Sequence, residues 1–259
     1  MTFNTITYTT DQGVTSITLN RPDRYNAFNE QMRAELLAAM QAAEADKECR
    51  VIVLSGSGKA FSSGQDLKDI EGKKIDFSDF LKMGYNPVIR AMRDMPKPIV
   101  CKLNGVAAGA GCSLALACDY IIAQDQASLV EVFVGIGLVL DSGSSYFLPR
   151  LVGSARAFEL ATMGSKVSAT KAADWGMINK VVSIEELEEE TNKIAQYYAN
   201  APTLAIGMMK KMLNDSMTSN INEVLDYEAH YQQIAGDSMD YYEGVAAFIE
   251  KRKPTFTGS

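Results

Sequence analysis

The segment Ala60-Phe61-Ser62-Ser63-Gly64-Gln65-Asp66-Leu67 reads as a strand that stops at a glycine and enters a helical turn at once. At such a junction the N–H of Gln65 finds no partner within the chain. The segment Asn104-Gly105-Val106-Ala107-Ala108-Gly109-Ala110-Gly111-Cys112-Ser113 reads as a tight glycine turn leading into a buried helix. Its glycines let a ligand come close to the backbone, and the N–H of Ala110 points outward at the positive end of the helix dipole. Two such N–H groups converging on one carbonyl oxygen make an oxyanion hole, where each donor is worth about 2.7–4 kcal/mol to a developing negative oxygen. Taken singly, each turn has a plainer explanation, with Asp66 as a helix cap and the glycines as close-packing residues.

A third candidate is Asp141, in Gly137-Leu138-Val139-Leu140-Asp141-Ser142-Gly143-Ser144-Ser145-Tyr146. It follows an apolar, strand-like run and precedes a helix, so it is either a helix cap or a lone carboxylate facing a ligand. One base is sufficient to move a double bond, because it can take a proton from one carbon and return it to another. Leu138, Leu140 and Phe133 would desolvate the carboxyl and raise its pKa toward a usable value. The single histidine, His230, lies on an amphipathic stretch of the tail and reads as structural.

Positioning these groups requires alternating strands and helices. Stretches 5–9 and 14–19 alternate around the turn Asp11-Gln12-Gly13 and predict a hairpin. Asn29 caps a helix with Met32, Leu36, Leu37 and Met40 on one face. A buried strand at 51–54 is followed by a strand and tight turn at 60–64, and by a polar segment to about residue 79. A helix over 80–93 ends before Pro96 and Pro98. Then come a strand at 99–103, the glycine turn 105–111, a short helix at 112–117 and a strand at 120–123. From Ser154 onward the chain reads as helical, except for a strand at 178–182. Ser183 and Glu186 form a capping box for a helix to about residue 199. Pro202 starts another helix, and two more follow near 222–234 and 241–251. The alternation implies an α/β core of stacked small sheets, and the Met-, Tyr- and Leu-rich tail implies a subunit interface.

Composition narrows the partners. The 259 residues are 47% hydrophobic, enough for a full core. A formal charge of −7 argues against nucleic acid and anionic membrane surfaces. Cys49, Cys101, Cys112 and Cys118 form no CxxC pair and, with one histidine, no zinc set; they read as reduced core thiols of a cytoplasmic protein. The first residues lack the basic and apolar regions of a signal peptide, and no apolar run reaches the roughly 20 residues of a membrane span.

Asn20-Arg21-Pro22, Tyr25-Asn26-Ala27-Phe28, the two turns and the closing Ala246-Ala247-Phe248-Ile249-Glu250-Lys251-Arg252-Lys253-Pro254 together resemble the crotonase superfamily, that is, the enoyl-CoA hydratase/isomerase family. The resemblance implies a spiral of ββα units over residues 1–200, with a C-terminal helical region over 201–259 that trimerises, trimers often pairing into hexamers. It implies oxyanion amides at Gln65 and Ala110, and coenzyme A lying along Tyr25, Asn26, Ala27, Ser63, Asp66 and Leu67. Phe248 and Lys251 would cover it from a neighbouring subunit, and Ser113, Phe133 and Leu138 would border the acyl group. No cofactor or metal is implied beyond coenzyme A, which is part of the substrate.

Hydratases of the family set two glutamates around one water, and their positions fall here on Ser113 and Phe133. A single aspartate at the place of Asp141, followed by Phe147-Leu148-Pro149-Arg150, resembles the 1,2-epoxyphenylacetyl-CoA isomerase branch and related Δ3,Δ2-enoyl-CoA isomerases. Family dehalogenases also use an aspartate there, as a nucleophile, but with a histidine base, and His230 is distant in sequence; dihydroxynaphthoyl-CoA synthase matches only in part. The expectation is an acyl-CoA isomerase with Asp141 as proton shuttle. An enoyl-CoA hydratase and an acyl-CoA-binding homologue without catalysis are the alternatives.

Overall fold

The computed structural model describes residues 2–259. It opens with β1 (Ile6–Asp11) and β2 (Val14–Leu19), an antiparallel hairpin closed tightly at Gln12-Gly13. Asn29 caps α1 (Glu30–Ala45) by accepting from the N–H of Met32, and the helix buries Met32, Leu36 and Met40.

The chain then makes three successive turns of a spiral. The first contains β3 (Val51–Gly56) and β4 (Ala60–Ser62), then α2 (Leu67–Ile70), α3 (Phe77–Phe80), a π-helical turn (Leu81–Tyr85) and α4 (Asn86–Asp94). The second is β5 (Ile99–Leu103), β6 (Val106–Ala108) and α5 (Ala110–Leu116). The third is β7 (Tyr120–Gln124), β8 (Ser128–Val130), a 3₁₀ turn (Val132–Ile136), α6 (Ser144–Val152) and α7 (Ser154–Met163). After β9 (Val167–Ser168), α8 (Ala169–Asp174) and β10 (Lys180–Val182), the chain is helical through α9 (Ile184–Ala199), α10 (Thr203–Ser216), α11 (Ile221–Gly236) and α12 (Met239–Glu250).

Each turn of the spiral gives its first strand to one sheet and its second to another. The large sheet has the order β1-β2-β3-β5-β7-β10 and the small one β4-β6-β8-β9. β3, β5 and β7 pair in parallel, as do β4, β6 and β8. This is the expected α/β spiral of ββα units. At the corner before β6, a Cβ on Gly105 would lie 2.2 Å from the backbone oxygen of Lys59, so only glycine lets the chain pass between the sheets there.

Alternate residues of β3 face opposite sides of the large sheet. Ile52 and Leu54 join the main core with α1 and α5, whereas Val51 and Val53 pack with Val100 and Ile122 against Leu187 and Ala195 of α9. All four cysteines are free and buried. Among the described residues, no helix is long and apolar enough to cross a membrane.

Several local expectations are corrected. The stretch 105–111 contains strand β6, and β8 and β9 appear where no strand was expected; strands of two or three residues are too short to show a period of two. The run 137–140 forms no strand. The helix expected over 80–93 widens into the π turn before α4.

Candidate active site

The two turns singled out by sequence meet. Residues 25–28 lie beside 63–66: the N–H of Ser63 donates to the Tyr25 carbonyl (2.9 Å), Phe28 N–H to Gly64 (2.8 Å) and Asp66 N–H to Phe28 (2.9 Å). In this pairing Gln65 faces Phe28 without using its own N–H. Gly64 has φ +88, and a Cβ on it would lie 2.7 Å from the Ala108 carbonyl oxygen and 3.5 Å from the Ala110 nitrogen. The first turn therefore touches the second where α5 begins. Among the described residues, neither Gln65 nor Ala110 spends its amide hydrogen on the backbone.

Gln65 and Ala110 both line a cavity of about 600 Å³, lined also by Ser63, Leu67, Phe133, Leu138 and Asp141. Ile70, Phe77, Phe80 and Tyr85, from the segment between β4 and α4, make another apolar wall. Seven of the residues picked out by sequence thus share one cavity of the size that small ligands occupy. This cavity brings a carboxylate, Asp141, together with Gln65 and Ala110.

Asp141 is half-buried, and burial raises its carboxyl pKa above the ordinary aspartate value, partly offset by a hydrogen bond from Ser142 Oγ (2.7 Å). The capping alternative fails on geometry. The residue before α6 is Gly143, among the described residues no backbone N–H bonds the Asp141 carboxylate, and its carbonyl serves the turn, accepting from the N–H of Ser144 (3.0 Å). Ser142, next to it, is held at φ +51, a costly conformation for a serine that surrounding contacts must enforce.

The remaining expected residues fall into three groups. Asn26 is buried and its side chain ties the chain together, accepting from Arg21 N–H (2.9 Å) and donating to the carbonyls of Ser57 (2.9 Å) and Ala60 (2.8 Å). Asp66 caps α2 through Lys68 N–H and pairs with Arg21 at 2.9 Å. Tyr25 is exposed, with its carbonyl accepting from the N–H of Ser63, and Ala27 is buried. Ser113 is buried and does not line the cavity; its hydroxyl is turned toward Ser144 Oγ (2.8 Å) and the carbonyls of Asp141 (3.1 Å) and Gly109 (3.3 Å). Phe248 and Lys251, at the end of α12, are exposed and lie outside the cavity lining.

Two features went unremarked in the sequence. Arg33 and Tyr85 both donate to Gln65 Oε1 at 2.7 Å, and the Arg33 guanidinium lies over the rings of Phe80 (4.4 Å) and Tyr85 (5.2 Å). They fix the side chain of Gln65, which lines the cavity; their separation from Gln65 in sequence gave no signal. Burial pushes the Tyr85 hydroxyl well above its ordinary pKa, so it stays a donor. Glu131 is a buried carboxylate directly after β8, and a lone acid within the apolar run 129–134 was the available signal.

The family model for enoyl-CoA hydratase/isomerase matches residues 9–259. The 1,2-epoxyphenylacetyl-CoA isomerase of Escherichia coli (strain K12) is 42% identical over 96% of each chain. A Rhodobacter capsulatus protein named "Probable enoyl-CoA hydratase" is 41% identical over the full length of both. The crystal structure of an enoyl-CoA hydratase from Bacillus anthracis superimposes with a TM-score of 0.94 at 30% identity, over 99% of this chain and 100% of that one.

Proposed function

The chain belongs to the enoyl-CoA hydratase/isomerase family, and from that premise we propose that it is an acyl-CoA isomerase. It would move a double bond, or open a ring epoxide, in an enoyl- or phenylacetyl-type CoA thioester, with Asp141 as acid and base. One observation carries the reading: Asp141 is the single carboxylate among the residues lining a cavity that Gln65 and Ala110, whose amides have no backbone partner, also line.

For a 3-enoyl thioester the chemistry balances without a further reagent. The carbonyl oxygen accepts from the two amides, and the Asp141 carboxylate removes a proton from C2. The electron pair moves onto the carbonyl oxygen as a dienolate, held by donors already in place. The same proton then passes from Asp141 to C4, leaving the double bond between C2 and C3. Burial helps, because a carboxyl with a raised pKa is a stronger base toward carbon and keeps its proton until the return step. Hydration would need a second group to handle water, and the family positions for it carry apolar Phe133 and a Ser113 turned away from the cavity. Coenzyme A would lie along Tyr25, Ala27, Ser63 and Leu67, with Phe248 and Lys251 arriving from a neighbouring subunit. The name of the E. coli relative supports an aromatic CoA thioester as one substrate class.

The test compares purified protein on a panel of 3-enoyl-, 2-enoyl- and phenylacetate-derived CoA thioesters. Double-bond migration should greatly exceed hydration of crotonyl-CoA. Hydration at about 10 per second or more, an ordinary enzyme rate, would overturn the isomerase reading. Binding without deuterium exchange from solvent at C2 or C4 would favour a non-catalytic binding protein instead.

A further inference from the structure

Glu131 stands beside this site without a role in the reaction as written. It does not line the cavity, and it is only 2% exposed. Its Oε1 lies 2.8 Å from Ser144 Oγ, which lies 2.8 Å from Ser113 Oγ, which in turn lies 3.1 Å from the Asp141 carbonyl oxygen. Glu131 Oε2 is buried with no hydrogen-bond partner among the described residues. The three side chains are buried together, so the chain of hydroxyls links a hidden carboxyl to the backbone of the base.

The titratable groups facing Glu131 are the Cys112 thiol from α5 and the Asp141 carboxyl from the segment before α6, and neither is a cation. Burial pushes the Glu131 carboxyl up to about 7, against smaller opposing effects from Ser144 and Cys112.

Each serine hydroxyl has one proton to give, and this makes the chain directional. When Glu131 is ionised it accepts from Ser144. Ser144 Oγ can then accept from Ser113, a contact shorter than those from Ser113 to either carbonyl. When Glu131 is protonated it can donate to Ser144, and Ser144 to Ser113. Ser113 is then left to donate to a carbonyl, of which that of Asp141 is the nearer.

We propose that Glu131 is a positioning residue for the Asp141 base, acting through Ser144 and Ser113: protonated, it turns both hydroxyls toward the Asp141 carbonyl and braces the strained turn at Ser142; ionised, it turns them away. The proposal rests on the reading of Asp141 as the base. It predicts two limbs in the pH dependence of kcat. Rate rises with pH as Asp141 ionises, then falls as Glu131 ionises and one hydrogen bond to the turn is lost.

The experiment measures kcat for a 3-enoyl-CoA across the pH range around neutrality, in wild type, Glu131→Gln and Ser144→Ala. Glutamine keeps a donor for Ser144 at every pH, and alanine frees Ser113 to donate to Asp141 at every pH. Wild type should lose about two- to tenfold on the alkaline side, the worth of one ordinary hydrogen bond. Both variants should lack that fall while keeping the acid limb and the wild-type Kd for a saturated acyl-CoA. An alkaline fall that persists in a folded Glu131→Gln or Ser144→Ala, or a wild type without one, overturns the proposal. Infrared difference spectra give a readout independent of turnover: a protonated-carboxyl band titrating near neutrality should vanish in Glu131→Gln and survive in Asp141→Asn. If Asp141→Asn retains full activity, the assignment of the base fails; if the band is missing, the assignment of Glu131 fails.

Discussion

At the scale of single residues, the proposed base Asp141 can be tested apart from binding. Asp141→Asn keeps size and shape but removes the proton acceptor, and a general base contributes about 10²–10⁴-fold in rate. Isomerisation should fall by that order while Kd for a saturated acyl-CoA changes little, because the amides of Gln65 and Ala110 are untouched. Kinetics with near-wild-type kcat in this variant would rule the mechanism out. Glu131 makes a separate prediction about stability. Its folded carboxyl titrates near 7 against an ordinary value of 4.5. Between those values the folded protein holds a proton that the unfolded chain has released, so stability falls as pH rises from about 4.5 to about 7 and stays lower above that. The loss amounts to about 3 kcal/mol. Glu131→Gln removes it, so the variant should gain on wild type through that window and hold the gain at higher pH. Denaturant titrations at pH 5 and pH 8 that show the same difference would refute the buried, titrating carboxyl. Asp141 was legible in the sequence because an acid after an apolar run is conspicuous. Glu131 showed only as a lone acid in the apolar run 129–134, and its meaning depends on two serines brought to it from α5 and α6 by the fold.

At the scale of elements, the site exists because each spiral turn carries a strand from the large sheet into the small one. β4 and β6 are neighbours in the small sheet, so the residues that follow them, Gln65 and Ala110, emerge side by side. The sequence showed both turns, since glycine at a strand end is a strong local signal. It did not show β8 or β9, whose pairing comes from the spiral and not from their own two or three residues. Nor did it show that the segment 77–94 folds as a short helix, a π turn and a longer helix that together place Tyr85 and Phe80 on the cavity. Gly64 is the test at this scale. Its φ of +88 disfavours any L side chain, and a methyl group would meet the Ala108 carbonyl at 2.7 Å. Gly64→Ala should therefore push the two turns apart and misplace one amide donor, costing about 10²–10³-fold in kcat. A folded Gly64→Ala protein with unchanged kcat would show that the two amides do not work together on one oxygen.

At the scale of the whole molecule, the C-terminal helices leave much apolar surface uncovered. Leu213 on α10, Ile221 and Leu225 on α11, and Phe248 and Ile249 on α12 are all more than half exposed, Phe248 reaching 85%. Yet this region is anchored to the core: Arg50 donates to the carbonyls of Ala201 (2.7 Å) and Phe256 (3.0 Å), and Lys210 of α10 is buried against Asp119 at 2.7 Å. Firmly held helices with bare apolar faces fit a region whose partner is another chain. The expected partner is a copy of this one, in an assembly built on trimers. The same association would explain why Phe248 and Lys251 lie outside the lining of the Asp141 cavity although the resemblance assigns them to coenzyme A. Light scattering at micromolar concentration should give a trimer or hexamer, and a stable monomer would remove both claims together. If the oligomer forms, Lys251→Met isolates the second claim. The substitution removes a charge from an exposed position and buries nothing, so folding and assembly should persist. A lysine that reaches a phosphate of coenzyme A from a neighbour makes a charge-assisted contact, and losing it should weaken acyl-CoA binding about tenfold with kcat at saturation unchanged. Unchanged Kd in an intact Lys251→Met oligomer would mean that this lysine is only a solvated end to α12.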